Sequence, residues 1–214
     1  MRHFAPMQNI LPILGVFAVF SPALMLPGPD FVAVVRNTIA RGKRAGLLTA
    51  LGVSIGISFY AALSALGLST LLNRVEWFEL VVRVAGAAFL AYLGIRLLLT
   101  HAPPRHIEQE AANTPNGPSN PLLLGLLVNL TNPKAIIFFA SIFGSAIKPQ
   151  TPLWVLLAVI GIVGVSGLLW FSAVSLLTAS TGWLIRLEDH QHWIERLAGI
   201  AFLGFAVKIG INLA

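Results

Sequence analysis

The chain has 214 residues, 57% of them hydrophobic and only 10% charged, where a soluble domain carries about 25% charged residues. Fourteen Lys and Arg against eight Asp and Glu give a net charge of +6, with a pI near 10.5 and a mean hydropathy of +0.83. Such a composition cannot cover a soluble surface and excludes a cytosolic enzyme, a disordered chain and a nucleic-acid binder; the basic excess suits loops beside anionic headgroups. Without Cys, disulfides and thiolate metal sites are excluded as well. This is the composition of an all-α integral membrane protein.

A membrane helix needs about 20 apolar residues. The first apolar run extends from Asn9 to Val35 and is interrupted at Pro27-Gly28-Pro29-Asp30. The second runs from Ala45 to Leu72 and the third from Trp77 to Leu99. A polar, proline-rich stretch from His101 to Asn120 follows. The fourth run, Pro121 to Ile147, is interrupted at Asn132-Pro133-Lys134; the fifth is Pro152 to Ala179 and the sixth His192 to Leu213. The expectation is six transmembrane helices: residues 1–100 form one three-helix unit, 101–120 a polar cytoplasmic linker, and 121–214 a second three-helix unit. Arg2, His3 and Ser21-Pro22-Ala23 loosely resemble a signal peptide, but the apolar stretch outruns the usual signal core, and cleavage would orphan half of the repeat described next.

Arg83-Val-Ala-Gly-Ala-Ala-Phe-Leu90 in the third run matches Arg196-Leu-Ala-Gly-Ile-Ala-Phe-Leu203 in the sixth at six of eight positions. The first and fourth runs agree in being broken by a proline element. Units of three spans must point in opposite directions, because three is odd, so the two halves read as inverted repeats. Short-loop Lys and Arg set the orientation. Arg36, Arg41, Lys43 and Arg44 after the first run, Arg96 and Arg105 after the third, and Arg186 and Arg196 near the last loop lie on one side. Arg2, Arg74, Lys148 and Lys208 lie on the other, eight against four. The richer side is cytoplasmic and both termini face outward.

Paired broken helices in inverted halves point to a transporter's binding site; two prolines that merely kink packed helices are the plainer alternative. In the second break, Asn132 reads as an N-cap and Pro133 as the first helical residue, where a missing N–H costs nothing. The half-helix that begins there offers backbone N–H groups and a positive dipole end to an anion. Lys134 is a cation at the wrong helix end and deep in a span, which costs roughly 2.5–3.5 kcal/mol on insertion scales. A substrate carboxylate would satisfy it; snorkelling or pairing with an acid are the alternatives. In the first break, Gly28 takes the cap position, Pro29 the first helical position, and Asp30 the first turn. Asp30 is the one carboxylate well inside a run, open to three roles: partner of Lys134, ligand of a substrate ammonium, or carrier of a coupling proton. A purely structural role at the helix end also fits it. Pro27, Pro29 and Pro133 are the structural breakers.

Gly52, Gly56, Gly161, Gly164 and Gly167 read as close-packing faces. Ser54, Ser58 and Ser166 line a polar path or, more commonly, bond back to their own helices. Trp170 falls mid-run and faces either the interior or lipid. His101, His106, His190 and His192 lie in or beside loops with no metal-binding spacing, and no residue set calls for a metal, a cofactor or a catalytic role.

Pro27-Gly28-Pro29-Asp30-Phe31, followed by Gly42-Lys43-Arg44-Ala45-Gly46-Leu47 and then Gly52 and Gly56, closely resembles the N-terminal signature of the LysE/RhtB family of amino-acid exporters. Asn132-Pro133-Lys134-Ala135 with Phe138-Phe139 resembles the second signature of that family. The resemblance covers nearly the whole chain, and it implies export of amino acids or derivatives from the bacterial inner membrane, driven by the proton-motive force. With Lys134, Asn132, Gly28 and Asp30 as substrate ligands, Asp30 also serving the proton, a single buried acid favours neutral cargo such as threonine, homoserine or leucine. The partners are then the small-molecule substrate, protons and the bilayer, with no nucleic acid and with a homo-oligomer left open. Alternatives are export of another small solute or a cation, which would want more ligands than one Asp, and a membrane protein that transports nothing.

Overall fold

A computed structural model describes residues 5–68, 76–99, 118–146, 151–178 and 183–211, and among these every regular element is helical. The first apolar run is two helices, α1 (Ala5–Met25) and α2 (Pro29–Arg41), bent by 50° at the break. The second is α3 (Lys43–Ala62), extended by a π-helical turn over Leu63–Leu68. The third is α4 (Glu76–Leu99). The fourth is again two helices, α5 (Pro121–Leu130) and α6 (Pro133–Ala146). The fifth is α7 (Leu153–Thr178) and the sixth α8 (Trp183–Ile211).

By length and apolar composition alone, Lys43–Leu66 and Leu153–Thr178 each suffice to cross a membrane, and the bent pair Ile13–Met25 with Pro29–Arg41 adds a third if it is a single span. Val84–Leu99 and Pro121–Leu130 are shorter apolar helices among the described residues. This is a multi-pass helical membrane protein.

Two expected loops are helical. Arg36 and Arg41 lie inside α2, and the connection to α3 is the single residue Gly42. Its φ of 83° is a left-handed conformation that side chains resist, and its N–H closes on the Thr38 carbonyl at 3.0 Å. Arg41 in the last turn suits the negative end of α2. Likewise α8 begins at Trp183 rather than His192, so His190 and His192 sit in a helix and not in or beside a loop. No Gly or Pro occurs between Trp183 and Gly199; polarity alone does not stop a helix that has left the hydrocarbon. His101 and His106 lie outside the described residues.

The packing runs through small residues, as expected where lipid supplies no hydrophobic drive between helices. α3 lies between α5 and α7. A Cβ on Gly52 would run into the Leu122 carbonyl, one on Gly125 into that of Thr49, and one on Gly56 would come 2.5 Å from Asn129 Oδ1. These pairs advance together, so α3 and α5 are parallel. On the other side Gly164 faces Ser58 and Gly167 faces Ile57, while Thr38 of α2 donates to Ser175 at 3.0 Å. That order makes α7 antiparallel to α3. Gly161 has open space around it and packs against nothing within 4 Å, unlike its two neighbours in the stripe. α4 and α8 cross antiparallel where Gly94 meets Gly199 and Leu203, and Gly199 meets Leu98.

Ser54, Ser58 and Ser166 each donate to the carbonyl four residues back, at 2.8, 2.9 and 2.6 Å, so they serve their own helices. Trp170 is half-buried against the core, with its indole nitrogen buried and unbonded among the described residues. α5 starts on an Asn120 cap that accepts from Leu122 and Leu123, with Pro121 in the first helical position. Arg41 donates to the Ser119 carbonyl at 2.9 Å. The end of α2, the start of α3 and the start of α5 therefore share one end of the molecule, and the two helix breaks face each other further along it.

Candidate functional site

Both breaks form as the local chemistry dictates. Gly28 is the cap of α2, extended and without a side chain to cap it, Pro29 is first in the helix, and Asp30 lies in the first turn. Val32 N–H bonds the Gly28 carbonyl at 2.9 Å. In the second break, Asn132 Oδ1 accepts from Lys134 N–H at 3.0 Å, and the Asn132 carbonyl receives Ile136 N–H at 3.2 Å. The Asn cap and the proline thus end one helix and start the next within two residues.

The breaks interlock. Asp30 Oδ2 accepts from Asn129 Nδ2 at 3.0 Å and from Asn132 Nδ2 at 3.2 Å. In return Lys134 Nζ reaches the Ala23 carbonyl in the last turn of α1 at 3.5 Å. That carbonyl would find the N–H of residue 27 if the helix continued, and residue 27 is proline, which has none. A cation misplaced at the start of its own helix is thereby well placed at the end of another, where the dipole is negative. The same repair appears opposite, where Tyr60 donates its hydroxyl at 2.6 Å to the Leu130 carbonyl at the end of α5.

Between the breaks lies a small cavity of about 50 Å³, partly open to the outside. Its polar lining is Asp30, Lys134, Asn129 and Asn132, with Gly28 beside them. The apolar wall includes Phe20, Phe31, Ile57, Phe138, Phe139 and Phe171. Phe20 and Phe139 have ring centroids 5.9 Å apart, and Phe139 stacks on Tyr60 at 6.4 Å. One acid and one base from opposite breaks thus share the cavity with an aromatic wall.

All four residues expected from the sequence to meet a substrate, Gly28, Asp30, Asn132 and Lys134, line this one cavity. Pro29 and Pro133 open their half-helices, and Pro27 withholds the N–H described above. Asn129 was not expected. Its signal was a polar residue one turn before Asn132 in an otherwise apolar helix, weak until its partner is seen. Asp30 Oδ1 and Asn129 Oδ1 are both buried and have no hydrogen-bond partner among the described residues.

The family model for LysE type translocators matches residues 22–213. The threonine efflux protein of Escherichia coli K12 is 30% identical over 207 residues, 93% of this chain and 97% of that one. The leucine efflux protein of Klebsiella pneumoniae is 30% identical over 203 residues, 91% of each chain. An uncharacterized membrane protein of Haemophilus influenzae is 29% identical over 203 residues, 94% of this chain and 96% of its own. No solved structure matches the chain.

Proposed function

The chain belongs to the LysE type translocator family, and from that premise we propose that it is a secondary transporter exporting neutral amino acids or their derivatives, threonine, homoserine or leucine among them. The observation that carries this reading is that two helix breaks contribute opposite charges, Asp30 and Lys134, to one cavity. The cargo's carboxylate is taken by Lys134 and the N-terminal backbone of α6 beside Asn132. Its ammonium, or the coupling proton, is taken by Asp30 at the start of α2, beside Gly28. A basic side chain has no second acid to meet among the cavity's residues. The side chain rests on the phenylalanine wall.

Transport follows by rocking one three-helix half, residues 1–100, against the other, 121–214, across the polar linker 101–120. The antiparallel pairing of α3 with α7 and of α4 with α8 supports six spans in two inverted halves. The Gly42 end of α2 and α3 faces the cytoplasm, both termini face outward, and the protein resides in the inner membrane of a bacterium. Proton entry drives export; the membrane potential alone supplies about 2.3 kcal/mol per charge per 100 mV.

The test is export from cells loaded with dipeptides, so that free amino acids accumulate inside. Extracellular amino acids are followed for wild type, Asp30→Asn and Lys134→Ala at matched membrane levels. Faster release of one or a few amino acids by wild type only, abolished by an uncoupler, is the expected result. No faster release of any amino acid sinks the export reading, and export by both variants at the wild-type rate sinks the site.

A further inference from the structure

Asn129 has no part in the handling of cargo set out above, yet its geometry gives it a defined task. It is 1% exposed, and its Nδ2 donates to the same Asp30 oxygen that receives Asn132. The Asn129 amide nitrogen thus faces Asp30, and its Oδ1 faces away. There Oδ1 lies against Gly56, whose missing Cβ leaves it room. Two amides on Oδ2 fix the plane of the carboxylate and leave Oδ1, which is buried and has no hydrogen-bond partner among the described residues.

Of the two amides, Asn132 belongs to the break itself and also spends its oxygen on the Lys134 N–H. Asn129 stands on α5, which is seated on α3 through Gly52 and Gly125.

We infer that Asn129 is a positioning residue for the amino group of the cargo: it holds Asp30 so that Oδ1 is the acceptor presented to a substrate N–H. This rests on the export reading and narrows it. The cargo class is a protonated amine, and an analogue with hydroxyl in place of the amino group is disfavoured, because its neutral donor offsets the burial of the carboxylate charge less well.

The test uses full-length protein in proteoliposomes, with L-leucine and L-threonine as probes and the hydroxy-acid analogue of each, in wild type and Asn129→Ala. Wild type is expected to favour each amino acid over its hydroxy analogue by tenfold or more, roughly the worth of a hydrogen bond to a charged group. Asn129→Ala is expected to raise KM for the amino acids about tenfold, leaving KM for the hydroxy acids within about twofold and maximal rates nearly unchanged. A KM that rises equally for both classes, or for neither, overturns the assignment. If Asn129→Ala fails to fold, Asn129→Ser is read in the same way, and equal handling of amino and hydroxy acids by wild type refutes the assignment. Transport of neither class strikes the export reading itself, whereas transport of both without preference refutes the ammonium subsite, and with it the role of Asn129, while export stands.

Discussion

Two substitutions at Asp30 separate what its carboxylate does for the fold from what it does for cargo. Asp30→Ala removes the acceptor of two buried amides, Asn129 at 3.0 Å and Asn132 at 3.2 Å. A buried donor left without a partner costs roughly 1–3 kcal/mol, so the variant loses about 2–6 kcal/mol. Asp30→Asn keeps an oxygen that can accept both bonds. Each becomes weaker by about 1 kcal/mol as the charge is lost, while an ion no longer has to be held out of water, a relief of similar or larger size. The amide variant should therefore be at least as stable as wild type, and the alanine variant clearly less so. Both lose export, because neither presents an anionic oxygen to the cargo. Denaturant unfolding in bicelles, followed by Trp fluorescence, gives the stabilities, and the dipeptide-loading assay gives export. If Asp30→Ala and Asp30→Asn unfold within about 1 kcal/mol of each other, the amide clamp deduced from the geometry is wrong.

Further outcomes follow from other contacts. Gly56→Ala would place a Cβ 2.5 Å from Asn129 Oδ1; overpacking of this kind costs roughly 1–3 kcal/mol, and should lower both unfolding stability and the yield of folded protein in membranes. Tyr60→Phe strands the Leu130 carbonyl at the end of α5 and should cost about 1–3 kcal/mol in the same unfolding measurement. Because the chain has no Cys, a single Arg44→Cys variant reports orientation without background. It should react with an impermeant maleimide in inside-out vesicles and not in intact spheroplasts, and the reverse pattern would invert the assigned topology.

The helix breaks were legible because their causes are local. Gly28-Pro29-Asp30 and Asn132-Pro133-Lys134 carry the cap, the missing N–H and the first turn in three consecutive residues, and no distant contact is needed to place them. The grip of Asn129 on Asp30 was not legible, because it joins positions 99 apart in sequence through helices whose relative placement is set by glycines on a third. Lys134 shows the same limit. Its mismatch with its own helix was readable, whereas its fit to α1 needed the end of α1 brought alongside. The start of α8 escapes the sequence for another reason: its charged and polar residues suggest a loop, although nothing in them breaks a helix. Gly161, Gly164 and Gly167 look alike in sequence, and only the neighbouring helix distinguishes the two that pack from the one that does not.

Apart from Phe31 beside Asp30, the cavity's phenylalanines stand on different scaffolding from its polar groups. The polar groups sit at the two breaks and at the end of α5, while Phe20, Phe138 and Phe171 come from the bodies of α1, α6 and α7. On the proposed function, a change of ring or volume at one of those phenylalanines alters the space for a cargo side chain without touching the polar groups at the breaks. Selectivity can then drift from small to bulky side chains by single steps, each passing through a working protein. An engineer wishing to redirect the protein should accordingly vary the phenylalanines and leave the prolines, the asparagines and the charged pair alone.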